Sequence, residues 1–226
     1  MSLTALAYPT VVYLHLLLFV LWLGADMGVF LAGQHFRKRH LYSLDQRLAL
    51  LKLLVVTDMI PRSAWALMVP MSLTVVTMGG YWAVPPLLLT AAWVIGLGWL
   101  WLAWDSHHHD QTPRAARNQQ IEFVLKIIIT LFYLGLGSLS LVTGEPLAPH
   151  WLACKALLFG LIFVAAIITE IRFKPVGPQL KRLLAEGSSD TTELPLRRTM
   201  DDTRVWVFVV YALLIATSYL GVTKPF

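Results

Sequence analysis

Long apolar runs separated by short polar intervals dominate the chain, and the length of those runs decides what they form. Backbone polar groups in hydrocarbon must be satisfied within the segment that crosses it, so a spanning helix needs roughly 20 mostly apolar residues. Six stretches meet that requirement: 9–32, 60–79, 82–104, 120–142, 151–171 and 205–222. Gly79, Gly80, Pro85, Pro86, Pro146, Pro149, Pro175 and Pro178 punctuate the intervals. Residues 44–56 carry the spacing of an amphipathic helix that runs into the second stretch, where Pro61 marks either a kink or the true start. The prediction is an all-α, polytopic membrane helical bundle of about six transmembrane helices, a single helical domain over 1–226. Residues 184–203, rich in Ser, Thr, Asp and Glu, read as a linker within a flexible cytoplasmic loop over 173–204.

Composition agrees with this pattern. Of 226 residues 57% are hydrophobic and only 14% charged, against about a quarter charged in soluble domains. The first apolar stretch is too long for a signal peptide and has no small-residue cleavage pattern, so it is expected to stay as helix one, with the mature chain beginning near Met1. One cysteine, Cys154, excludes an internal disulfide, and no zinc-like Cys/His spacing exists.

The positive charge is placed by topology. Arg37, Lys38, Arg39 and Arg47 follow helix one, Arg114 and Arg117 precede helix four, and a basic group from Arg172 to Arg204 lies between helices five and six. The opposite loops, 79–84 and 143–150, hold no Lys or Arg, so the positive-inside rule puts the basic loops in the cytoplasm and both termini outside. The net charge of +5 thus gives no case for nucleic acid; the partner it implies is the lipid bilayer, with some preference for anionic headgroups.

Chemistry is sought among the polar groups that a membrane makes expensive. In helix one His15, Phe19, Trp22 and Asp26 recur at helical spacing and share one face directed into the bundle. Measured from Pro9, His15 lies about 9 Å deep and Asp26 about 25 Å. Lys155 lies roughly 6 Å in from Trp151 and Met71 roughly 12 Å from Gly79, which sets His15, Lys155 and Met71 near one level. Asp58 and Arg62 bracket the inner mouth of helix two, and Glu122 and Lys126 lie in the inner part of helix four, where they could meet Asp26.

Each group has a structural reading beside its chemical one. His15 suits metal ligation or proton chemistry, and equally a hydrogen bond between helices. Lys155 and Lys126 can snorkel to an interface, and Lys126 can pair with Glu122. Asp26, Asp58 and Arg62 suit an ion network or a proton path. Met59, Met68, Met71 and Met78 suit apolar packing, or soft ligation of copper. His107, His108 and His109, beside Asp105 and Asp110, read as a solvated cytoplasmic loop able to hold a divalent metal weakly.

Residues 12–30, VYLHLLLFVLWLGADMGVF, resemble the first helix of the HemJ-type membrane protoporphyrinogen IX oxidases, in which a His is followed seven residues later by Trp, here His15 and Trp22. Residues 151–172, WLACKALLFGLIFVAAIITEIR, resemble the Trp-x-x-x-Lys helix of that family and put its functional Lys at Lys155. Residues 198–226 resemble its closing helix and end in a similar Lys-Pro, with Asp201-Asp202 in place of Asn-Glu. Copper-resistance D-type membrane proteins share the helical pattern, including the helix-one His and a turn like Trp22-Leu23-Gly24. Both families usually lack the segment 82–142, which makes this chain a divergent relative.

The first resemblance implies haem b in the bundle, with His15 as axial ligand, Lys155 as second ligand or partner of a propionate, and Trp22 and Met71 beside the cofactor. Lys155 and Asp26 are then the candidate catalytic groups. It implies an oxidoreductase or electron-transfer component of the bacterial inner membrane, exchanging electrons between a porphyrin-like substrate and the quinone pool. The second implies copper at His15 and Met71. The small loops also suit an accessory subunit among other membrane subunits.

Overall fold

The structure, a computed structural model, describes residues 3–226, with side chains from residue 6 onward. Met1, where the mature chain is expected to begin, lies outside the described residues. The elements are α1 (Leu3–Phe36), α2 (Leu44–Thr57), α3 (Met59–Met78), α4 (Pro86–His108), α5 (Pro113–Thr143), α6 (His150–Phe173), α7 (Val176–Glu186) and α8 (Asp190–Thr223), with no strand among the described residues. Six helical stretches are long and apolar enough to cross a membrane, the α2–α3 pair counting as one. Their outward faces carry bare aliphatic side chains: Leu87 is 82% exposed and Val142 85%. Such surface is stable against lipid and would not be against water. The protein is an all-α polytopic membrane bundle.

Packing divides the chain into two compact units, Met1–Leu125 and Lys126–Phe226. In the first, α3 packs against both α1 and α4, and α2 folds back on α1. Ser43 starts α2 through a capping box: its hydroxyl accepts from the Gln46 amide at 3.3 Å, and the Gln46 side chain accepts from the Ser43 amide at 3.0 Å. Asp58 separates α2 from α3 and puts Pro61 in the first turn of α3, where its missing N–H costs nothing. Pro61 therefore lies at the start of α3. Arg47, counted in the sequence among the topological charges, is only 1% exposed. Its guanidinium donates to the Phe36 carbonyl at the end of α1 and lies 4.9 Å over the Phe36 ring, a cation placed at the negative end of a helix.

In the second unit α6 packs against α8, and α7 against the first turns of α8. The C-terminal half of α5 meets α6 at close range. A Cβ on Gly137 would stand 2.8 Å from Leu157 Cα, and one on Gly160 would stand 2.9 Å from the Leu134 backbone nitrogen. Two hydrogens at this crossing let the helix backbones touch.

Residues 173–204 are not the flexible loop predicted. α7 occupies 176–186, and α8 begins at Asp190, some four turns before its apolar stretch. Leu183 is fully buried and Leu196 2% exposed, and the Gln179 amide donates to Thr199 Oγ1 at 3.0 Å, so the two helices form a hairpin with its own small core. Its polar composition belongs to the outer faces of amphipathic helices lying beyond the apolar spans.

Candidate functional site

The first unit gathers most of the candidate residues. α1 holds His15, Trp22 and Asp26 on one side; His15 is half-buried with its Nδ1 enclosed, Trp22 is 5% exposed, and Asp26 is half-buried. Met71 is buried on α3, the helix packed against α1. α1 begins at Leu3 and carries Pro9 within it, so Pro9 does not mark the helix end from which the depths were measured. Met59 and Met68 are buried in packing, whereas Met78 is 42% exposed; the four methionines do not form one cluster of thioethers.

A row of tryptophans runs inward from α1. Trp22 stacks on Trp65 of α3 at 5.6 Å between ring centroids and 28° between planes, and Trp65 meets Trp99 of α4 at 5.1 Å and 61°. These are the offset and tilted arrangements that aromatic quadrupoles favour. The row ends on Glu122, only 5% exposed, which accepts from Trp99 Nε1 at 3.2 Å and from Ser106 Oγ at 3.5 Å. Flat apolar surface and a buried carboxylate are thus joined by successive contacts. Sequence reading assigned nothing to Trp65 or Trp99, because nine tryptophans serve interfacial belts equally well.

The inner polar groups form pairs. Arg62 Nε donates to Asp58 one turn earlier. Asp105 accepts from Arg114 and, at 2.7 Å, from Asn118. His107 and His108 are the last turn of α4 and His109 its cap, with His109 Nδ1 3.3 Å from Asp105, so the expected loop starts only after them. Among the described residues, no group of three or more His, Cys, Asp or Glu side chains could hold a metal ion. Lys126, for which Glu122 is one expected partner, donates to Glu170 of α6 at 2.7 Å.

Lys155 belongs to the second unit. Its side chain lies along α8 over Gly221, where a Cβ would collide with Nζ and stand 3.3 Å from Cε. Lys224, the left-handed cap of α8, sets its ammonium 5.5 Å from the Trp151 ring centroid and is also an electrostatic neighbour of Lys155. The Trp-x-x-x-Lys spacing identified Lys155 and Trp151; nothing in the sequence joined Gly221 or Lys224 to them.

No family model, curated protein or solved structure matches the chain.

Proposed function

We propose that the chain is a haem-b-binding integral protein of the bacterial inner membrane, an oxidoreductase or electron-transfer component linked to the quinone pool and resembling the HemJ-type oxidases. The observation that carries this reading is the α1 face: His15 encloses a ring nitrogen within the protein, and Trp22, two turns further on, opens the row of Trp22, Trp65 and Trp99. Imidazole and thioether are both axial-ligand chemistries for haem iron, and His15 and Met71 stand on helices that pack together, so both ligand chemistries are available within the first unit. Haem b, when bound, supplies reversible one-electron transfer.

The chain's own residues have the remaining tasks. His15 holds the iron. Trp22 and Trp65 offer ring surface to a macrocycle and keep water from it. Asp26, on the same α1 face towards its inner end, exchanges protons with the cytoplasmic side. Lys155, in the second unit, presents positive charge to a carboxylate of a porphyrin-like substrate. Quinone and that substrate reach the protein from the bilayer.

Iron and copper content of the purified protein, with identification of the haem as its pyridine complex, tests the proposal. Iron present as haem b near one per chain is expected; copper in its place, or neither metal, overturns it.

A further inference from the structure

Glu122 of α5 is a buried titratable group for which the proposed chemistry has no use. It is 5% exposed, and its partners are two neutral donors of α4, Trp99 Nε1 at 3.2 Å and Ser106 Oγ at 3.5 Å. The cations nearest along the chain and on α3 serve other carboxylates. Arg114, two turns earlier on α5, donates to Asp105; Arg62 of α3 donates to Asp58; Lys126, one turn later on α5, donates to Glu170 at 2.7 Å. Arg117 is exposed. Of the histidines that end α4, His107 meets the Trp104 ring, His108 Nδ1 lies 2.7 Å from the Trp104 carbonyl and His109 Nδ1 lies 3.3 Å from Asp105. An ion pair fixes a carboxyl in its charged form, whereas neutral donors leave both of its forms within reach.

Ser106 lets either form be satisfied. The carboxylate accepts from both donors, but the acid needs an acceptor, which an indole N–H cannot be and a serine hydroxyl can. Ser106 is buried and stands one turn after Leu102, so its hydrogen can turn to the Leu102 carbonyl and free its oxygen to accept from the acid. Thr74 and Thr130 donate in that manner, to Pro70 at 2.8 Å and to Lys126 at 2.7 Å. A polar seam reaches this point from the turn between α4 and α5. Asp105, one residue before Ser106, accepts from Asn118 at 2.7 Å, and Asn118, one turn before Glu122, is 2% exposed. Exposed His109 stands at the outer end of the seam, beside Asp105.

We infer that Glu122 is a proton-binding site inside the bundle, loaded from the α4–α5 turn along the seam that Asp105 and Asn118 keep polar, with the Ser106 hydroxyl reversing its direction as the proton binds or leaves. One proton is gained or lost and no electron moves. Its arrival changes the charge at the end of the tryptophan row, where Trp99 holds the carboxyl. Glu122 has this role whether or not haem is bound at His15, and its signature is a carboxyl vibration and not colour. A colourless protein whose Glu122 titrates ends the haem proposal and leaves this one standing.

The experiment uses the full chain in a maltoside detergent, which has no carbonyl of its own, and infrared difference spectra between about pH 4 and about pH 9, the span in which carboxyl and imidazole groups of proteins titrate. A protonated-carboxyl band that appears as the pH falls, and is missing from Glu122→Gln, is expected. Trp99→Phe removes a donor that serves only the carboxylate and should tighten proton binding severalfold, moving the midpoint of the band to higher pH. Ser106→Ala removes the acceptor of the acid and should change the frequency of the band. Asn118→Leu makes the seam apolar and should slow deuteration of the acid severalfold. Should Glu122→Gln fail to fold, labelling of wild-type Glu122 by dicyclohexylcarbodiimide, which attacks carboxylic acids in apolar surroundings, assigns the band by peptide mass spectrometry. No titrating band that belongs to Glu122, or a band that none of the other three variants alters, overturns the site.

Discussion

Trp22 of α1 and Trp65 of α3 stack with their ring centroids 5.6 Å apart and their planes within 28°, and this contact joins the helix that carries His15 to the helix that carries Met71. Trp65 passes the contact on to Trp99, so Trp65 takes part in both joints and Trp22 in the first. Trp22→Ala should cost about 3 kcal/mol of stability, the usual range for deleting a large buried aromatic, and Trp22→Phe about 1 kcal/mol. Thermal unfolding in detergent, followed by helical signal, checks both; equal midpoints for wild type and Trp22→Ala would refute the packing role.

The α5–α6 crossing should tolerate no side chain. Gly137→Val drives a branched side chain into the Leu157 backbone and should destabilise by about 1–3 kcal/mol or more, as overpacking does. Gly135→Ala, with open space around the new methyl, is the control and should change stability little. A Gly137→Val protein as heat-resistant as wild type would contradict the close approach.

Arg47 closes the end of α1 from within the protein. Arg47→Met keeps most of its apolar length but leaves the Phe36 carbonyl without that donor, which should cost about 1–3 kcal/mol. Hydrogen exchange around residues 33–37 should rise in the variant, whereas replacing exposed His40 should leave it unchanged.

The α7–α8 hairpin predicts protection where its composition suggests exposure. Trypsin should cut slowly at Lys181 and Arg182 in the wild type and much faster in Leu183→Ala, because a fully buried leucine cut to alanine costs about 2–5 kcal/mol. Rapid cleavage of both proteins alike would restore the flexible loop.

That hairpin shows where sequence reading loses its grip. Hydropathy located the spans because lipid demands an apolar run, but it does not find helix that continues outside lipid, as α5 does from Pro113 and α8 from Asp190. Those extensions obey helix propensity and amphipathic packing, to which a mean hydropathy is blind. The candidate site divided along the same line. His15, Trp22 and Asp26 were legible together because one helix repeats its face at fixed intervals. Trp65, Trp99 and Lys224 were not, because each acquires its meaning from a residue on another helix far away in sequence. The buried contact of Arg47 was not legible for a related reason: its charge counts towards topology whether or not it is buried.

The proposal that His15 holds haem iron is tested most directly by the absorption spectrum of the purified protein beside that of His15→Ala. A Soret band that shifts on reduction in the wild type, and its loss from a His15→Ala protein with unchanged helical content, is the predicted result. A colourless wild type, or an unaltered band in His15→Ala, would contradict it.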